Sequence, residues 1–378
     1  MKIYGKQNVF DAAMERTRWL FREFDQDNLA VNFSGGKDST VTLNIALRVA
    51  EELGRLPLPV IFLDQEAEWR GTIEYVEQVM TDPRVKPIWS QVEFKLSNSA
   101  SSQNDWLYCW KEGDRWLRPK HPISKKVNVY GTDRFSEMLG ALFRVEVAGD
   151  RPGCKLAGVR AEESPARLKG LTSYATYKGR TWGNVDDKAR GHITMYPLYD
   201  WSYTDVWKAI HDNGWAYNEV YDHMFRYGLP VNKMRVSSLN HETALGSAFF
   251  LQEIEPETYT ALIQRIDGYH AVAQLRRDFL KVPEELPWMF SSWEEYRDHL
   301  IDQLVPQPEK QAVFRDQFTK ICARYEDEVQ TELVKAQIGA VLTDDFHGTK
   351  MSVFAASHGR FAKNRGSRGG DVTDRYKD

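Results

Sequence analysis

Along the first 160 residues, short strand-like apolar runs alternate with stripes of helical spacing. Val9, Ala12, Met14, Leu20 and Phe21 recur at broadly helical intervals within 8–24, ahead of the β-type run Leu29-Ala30-Val31-Asn32-Phe33. A helix is expected over 40–53, then a strand at 58–64 ending in Asp64, a helix over 72–80, and further strands at 85–96 and 155–160. Such alternation implies right-handed crossovers and an α/β fold: a doubly wound, mainly parallel sheet with ligands at the carboxyl ends of its strands. Ser34, Asp64 and Arg160 stand at such ends. From Trp201 onward the pattern turns helical, with helices expected over 203–213, 257–279, 293–304 and 310–337. The expected organisation is an α/β domain over 1–215 with an insertion near 97–150, a helical subdomain over 216–345, and a basic, glycine-rich tail over 346–378.

The run Ser34-Gly35-Gly36-Lys37-Asp38-Ser39 places a glycine turn between a buried strand and a helix start. Two glycines let the backbone approach a ligand with no Cβ in between, and their N–H groups join the free N–H groups of the new helix. Phosphate is the natural guest of such a cradle. Lys37 adds a point charge, Ser34 and Ser39 add hydroxyls, and Asp38 is suited to hold Mg²⁺ or to brace the loop. A Walker A loop needs Gly five residues before its Gly-Lys pair and Ser or Thr directly after the Lys. Those places hold Val31 and Asp38. The loop instead resembles the PP-loop of the ATP pyrophosphatase superfamily, which implies ATP cut between its α and β phosphates.

Other constellations surround this one. Asp64 is followed by Glu66 and Glu68, and a carboxylate at a strand's end beside a phosphate cradle is placed to hold Mg²⁺ or meet a ribose. In Gly158-Val159-Arg160-Ala161-Glu162-Glu163-Ser164-Pro165-Ala166-Arg167, the guanidinium groups of Arg160 and Arg167 suit charge that builds on phosphoryl oxygens. Gly158 is grouped with the nucleotide-binding residues, and Glu162 and Glu163 are placed to hold the arginines or a metal. The insertion interleaves Trp106, Tyr108, Trp110 and Trp116 with Lys111, Arg115, Arg118 and Lys120. That mixture fits either a satellite core or a stacking platform for a base. Ser202 reads as a helix N-cap with Asp205 at the third helical position.

Composition narrows the field. The 378 residues carry a net charge of -4, which argues against a wholly electrostatic nucleic-acid binder. Local patches run the other way: residues 151–190 hold nine Lys/Arg against four Asp/Glu, and 348–370 hold five Lys/Arg and no acid, so nucleic-acid contact stays open there. Cys109, Cys154 and Cys322 are far apart and odd in number, so neither a disulfide framework, a zinc site nor an iron–sulfur cluster is expected. With no signal h-region and no apolar run near the ~18 residues of a span, a cytoplasmic protein with no membrane partner is expected.

Three motifs in order, at 34–39, at 158–167 and in Tyr196-Pro197-Leu198-Tyr199-Asp200-Trp201-Ser202-Tyr203-Thr204-Asp205-Val206-Trp207, resemble the phosphoadenosine phosphosulfate (PAPS) reductase family over roughly 8–215. The continuation Tyr217-Asn218-Glu219-Val220-Tyr221-Asp222 and Gly228-Leu229-Pro230-Val231-Asn232-Lys233-Met234-Arg235 resembles a phage and plasmid branch related to immunoglobulin-binding regulator A. The resemblance implies an adenine-nucleotide α-hydrolase fold with ATP at 34–39. It also implies that the reductase activity is missing, because the family's C-terminal Glu-Cys-Gly-Leu-His nucleophile and the iron–sulfur cysteines of adenylyl-sulfate reductases have no counterpart here. Three functions stay open. An adenylating enzyme would hold the β and γ phosphates with Lys37 and the Gly35 and Gly36 amides, Mg²⁺ with Asp38 and Asp64, and the α-phosphate charge with Arg160 and Arg167. A non-catalytic adenine-nucleotide regulator would act with a ParB-like partner. A sulfonucleotide enzyme would use PAPS without the reductase thiol.

Overall fold

In the computed structural model, the described residues are 7–97, 106–172, 175–236, 238–240, 250–266, 269–270, 282–305, 307–342, 345, 348–358 and 361–363. The chain divides into two compact units, Met1–His270 and Ala271–Asp378. Residues 216–270, grouped with the helical part by their pattern, lie within the first unit. Most of the basic tail falls outside the described residues; its described part includes the helix Thr349–His358.

The first unit is built on a six-stranded sheet of β1 (Leu29–Asn32), β2 (Leu58–Leu63), β3 (Val85–Ser90), β6 (Gly153–Leu156), β7 (Gly183–Asp187) and β8 (His192–Met195). Its order is β3-β2-β1-β6-β8-β7, parallel throughout except for β7, which runs antiparallel to β8 at the edge. The near-continuous apolar run of β2 is buried at every position, as expected of a parallel strand covered on both faces. β1 lies at the centre, with Val31 opposite both Val60 of β2 and Leu156 of β6. Chain order therefore reverses between β1 and β6, and this switch point opens a crevice beyond their carboxyl ends.

Helix α1 (Val9–Glu23) begins where the Asn8 side chain accepts from the Asp11 amide, and it buries Ala13, Met14, Thr17, Leu20 and Phe21. Helix α2 (Lys37–Glu52) starts three residues earlier than its apolar stripe suggests, because Gly36 is its N-cap and Lys37 to Ser39 form its first turn. Helix α3 (Arg70–Met80) follows β2, and α6 (Tyr203–Asn213) begins with the reciprocal Ser202–Asp205 capping box and stops at Gly214, φ 60°. These helices cover the sheet and share its core with Phe21, Val49, Phe62, Trp89 and Ile210.

Three expected elements differ. The run 85–96 is two strands: β3 ends at Ser90, and β4 (Phe94–Ser97) leaves the main sheet to pair antiparallel with β5 (Trp106–Cys109). Of the helix expected over 257–279, Pro256–Arg265 is helical and Ile266 turns extended, while 267–268 and 271–279 lie outside the described residues. In the second unit, the stretch 310–337 breaks into Pro308–Cys322 and Gln330–Leu342, because the Gln330 side-chain Nε2 donates to the carbonyls of Cys322 and Tyr325 and closes the first helix. The two helices then share a core that includes Phe314, Phe318, Leu333 and Ile338. Among the described residues, no helix is long and apolar enough to cross a membrane.

Candidate nucleotide site

The loop after β1 sits at the switch point. Gly35 has φ 72°, and a Cβ there would stand 2.8 Å from Thr72 Cγ2, so space and conformation both demand glycine. Ser34 N–H donates to Ser39 Oγ (3.3 Å), the Ser34 and Ser39 hydroxyls are 3.1 Å apart, and Ser39 Oγ donates to Gly36 O (2.8 Å). The buried Asn218 amide donates to Gly35 O (3.1 Å) and to Thr72 Oγ1 (2.8 Å), fastening the turn to α3. The loop is thus held as a fixed ring of backbone dipoles at a helix start, the geometry that attracts an anion.

Two walls flank it. After β6, Gly158 packs against the first turn of α2 so closely that a Cβ would lie 2.5 to 2.7 Å from the Asp38 carbonyl group and the Ser39 nitrogen. That contact brings Arg160, only 5% exposed, onto Asp38, to which its Nε donates. Arg160 Nη1 also donates to Glu162 Oε2 (2.9 Å), which in turn caps α6 by accepting from the Tyr203 amide (2.7 Å). Arg167, on α5 (Pro165–Thr172), pairs with Glu163, whose carboxylate also lies 3.8 Å from Arg160. Lys37 Nζ is 3.2 Å from Asp38 Oδ2. Burial pushes the Lys37 ammonium below its usual range, Asp38 opposes that shift, and Arg160 and Arg235 add to it. The second wall is the segment after α6, which the residue pattern alone does not mark as part of the site. From α7 (Val220–Arg226), the Tyr221 hydroxyl accepts the Lys37 amide (3.1 Å), and further on the Met234 carbonyl accepts from Lys37 Nζ (3.4 Å).

Ser34, Gly35, Gly36, Lys37, Asp38, Ser39, Gly158, Arg160 and Arg167 therefore form one cluster. Asp64 faces a different neighbourhood. Fully buried, it accepts from Trp89 Nε1 (3.0 Å) and Gln91 Nε2 (2.9 Å) on one oxygen, and from Arg118 Nη2 and the Glu66 amide (3.0 Å) on the other. Both oxygens are saturated by protein donors, and those of Asp38 are shared between Arg160 and Lys37. Among the described residues, no group of three or more His, Cys, Asp or Glu side chains is placed to hold a metal ion. A magnesium ion held by Asp38 and Asp64 does not fit these side chains as they stand.

Asp64 instead anchors a second network. Glu66, at φ 63°, is held in this unusual conformation by its own carboxylate, which accepts from Arg265 Nε (2.8 Å) and the Trp110 amide (2.8 Å). Arg118 lies over the buried Trp110 ring at 5.1 Å, and Lys120 over Trp116 at 4.6 Å. Lys111 lies over Tyr108 in the same way, so three of the insertion's cations pair with its own aromatic rings, and Trp110 is buried. Glu68 is 6% exposed, and burial, reinforced by Asp64 and opposed by Arg118 and the Gln65 amide, pushes its carboxyl up to about 8.

A carboxyl whose folded value lies above its unfolded 4.5 binds more protons in the folded state between those two values. Its stabilising contribution is complete below about pH 4.5 and is lost as pH rises toward 8. Urea titrations at pH 5 and pH 8 should therefore show Glu68→Gln losing less stability than the parent chain, by on the order of a few kcal/mol. Parallel losses in the two proteins would contradict that environment for Glu68.

The model of the phosphoadenosine phosphosulfate reductase domain matches residues 28–227, which holds the whole cradle and both arginines. The chain is 27% identical to the uncharacterized protein YbdN of Escherichia coli over 82% of this chain and 78% of that one. It is 28% identical to the uncharacterized protein MJ0973 of Methanocaldococcus jannaschii over 70% of this chain, which spans about half (47%) of the archaeal protein. An adenosine 5'-phosphosulfate reductase of Geobacillus is 23% identical over 58% of this chain and 77% of the reductase. Among solved structures, the PAPS reductase of Candida auris in its phosphate complex aligns over 64% of this chain and 99% of its own, with 16% identity and a TM-score of 0.35. With residues 28–227 matched by the family model, this chain belongs to the phosphoadenosine phosphosulfate reductase domain family.

Proposed function

We propose that this protein binds ATP with its magnesium in the cradle at 34–39, cleaves it between the α and β phosphates, and adenylates an acceptor with release of pyrophosphate. Magnesium enters with the nucleotide phosphates and not on a protein carboxylate pair. The observation that carries this reading is the convergence of a fixed glycine turn, the buried Lys37 and the buried Arg160 on one point beyond β1 and β6. Lys37 and the amides of Gly35 and Gly36 receive the β and γ phosphates. Arg160 and Arg167 stabilise negative charge that develops on the α-phosphoryl oxygens as the bond to the β-phosphate breaks. Their partners Asp38, Glu162 and Glu163 hold the guanidinium planes in place before the nucleotide arrives.

A second reading has its own support. Every carboxylate around Arg160 is already paired with it, and Tyr221 already occupies the Lys37 amide. Such a neutralised site suits a regulator that binds an adenine nucleotide without turnover and acts with a ParB-like partner, as a phage or plasmid branch would use it. Sulfonucleotide reduction has the weakest support. Burial raises the Cys109 and Cys154 thiols and keeps them protonated, whereas attack on sulfur needs a thiolate. Incubation with ATP and Mg²⁺ and a cell extract as acceptor source, read by pyrophosphate and AMP, separates the first two. Pyrophosphate release that falls about a hundredfold in Arg160→Lys supports the enzyme; tight ATP binding with no pyrophosphate supports the regulator. Sulfite formed from PAPS with thioredoxin would restore the reductase.

A further inference from the structure

We propose that Arg235 is a further anion-binding residue of the cradle, gripping the β and γ phosphates from the strap that follows α7. This rests on the reading of 34–39 as a phosphate site, and it assigns to that site a cation from a segment outside the family's matched residues, which end at 227.

The strap is placed by its neighbours. After Gly228, φ 78°, and Pro230, a single 3₁₀ turn, Val231–Lys233, delivers Met234 and Val236 onto the loop. The Met234 carbonyl takes the Lys37 ammonium, and Val236 Cγ2 stands 3.7 Å from the point a Cβ on Gly36 would occupy. The Tyr221 hydroxyl stands 3.5 Å from that same point. Arg235 lies between Met234 and Val236 and is exposed, which puts the residue at the mouth of the cradle and not in its wall.

Charge accounting gives it a role. Asp38 is shared by Lys37 and Arg160, Glu162 is taken by Arg160, and Glu163 by Arg167. Among the described residues, none of these carboxylates is left for Arg235, whose charge bears on Lys37, Arg167 and Tyr221 together. Burial first, and Arg235 next, lower the Arg167 guanidinium from its usual range. Three cations that repel one another around a ring of backbone N–H groups are stabilised when an anion of two or more charges enters. A planar fork at the mouth matches phosphate oxygens in pairs, which an ammonium cannot do. Because Arg235 follows Met234, whose carbonyl takes the Lys37 ammonium, its contacts are assigned to the β and γ phosphates that Lys37 receives.

Calorimetric titration of the full chain with ATP·Mg²⁺, inorganic pyrophosphate and AMP tests this. Arg235→Ala should weaken ATP and pyrophosphate about ten- to a hundredfold, the loss of a charge-assisted hydrogen bond, with AMP affinity and melting temperature unchanged. Arg235→Lys should recover part of the ATP affinity. ATP binding that is lost in Lys37→Ala and intact in Arg235→Ala would overturn the role of Arg235 and leave the cradle standing. Equal weakening of AMP would also overturn it, since a general disturbance of the strap would then be the cause. Unchanged affinity in both variants would overturn the phosphate site itself.

Discussion

Arg160→Ala is expected to cost about 3–5 kcal/mol of stability and to abolish turnover, because it strips the common cation from three converging carboxylates. Asp38 would be left to Lys37, Glu163 to Arg167 and Glu162 to the Tyr203 amide, and Asp38 belongs to the first turn of the helix that builds the cradle. The informative variant is Arg160→Lys, which keeps the charge and loses the planar fork. Lysine cannot reach Asp38 and Glu162 with separate donors held in one plane. Turnover should fall about a hundredfold, while ATP affinity should change by less than about tenfold, since charge that grows on the α-phosphoryl oxygens exists only in the transition state. A urea titration of the alanine variant and paired rate and affinity measurements on the lysine variant check both parts. Equal, modest losses of rate and affinity would make Arg160 a scaffold residue.

Gly158→Ala should destabilise the chain by about 3 kcal/mol, at the upper end for an added methyl group in a packed interior. The atoms in its way are the Asp38 carbonyl carbon and oxygen and the Ser39 nitrogen, all backbone, so no side chain can swing aside. Relief requires the start of α2 to move, and the cradle moves with it. Nucleotide affinity should therefore fall alongside stability. Gly170 on α5 supplies the control: nothing lies within 4 Å of its added Cβ, so Gly170→Ala should be neutral or slightly stabilising. A Gly158→Ala protein that melts like the parent would contradict the close approach of the segment after β6 to α2.

The parts of this molecule that could be read from the sequence are those written in short-range order. β1, the glycine turn and α2 follow one another without a break, and the apolar run of β2 and the capping box of α6 are likewise local. The arginines after β6 are legible too, as guanidinium groups just beyond a strand's carboxyl end. Residues with distant partners stayed hidden. Asp64 meets Arg118 54 positions away, and Glu66 meets Arg265 199 positions away, so a strand-end acid that looks like a metal ligand is buried in an ion-pair network. The β3–β4 break was masked because Val92 and Phe94 continue the apolar run across the turn, each fully buried on its own account. β7, Gly183-Asn184-Val185-Asp186-Asp187, has one apolar position and is an exposed edge, so no alternation could mark it. Tyr221 and Met234 act on Lys37 through a hydroxyl and a backbone carbonyl, neither of which leaves a pattern along the chain.

The central claim is that the loop at 34–39 holds the phosphates of an adenine nucleotide through Lys37. Calorimetric titration of the parent chain and of Lys37→Ala with ATP·Mg²⁺ tests it most directly. The account predicts saturable binding by the parent at a single site, weakened about ten- to a hundredfold when the charge-assisted contact of Lys37 is removed. Identical affinity in the two proteins, or no heat of binding in the parent, would contradict it.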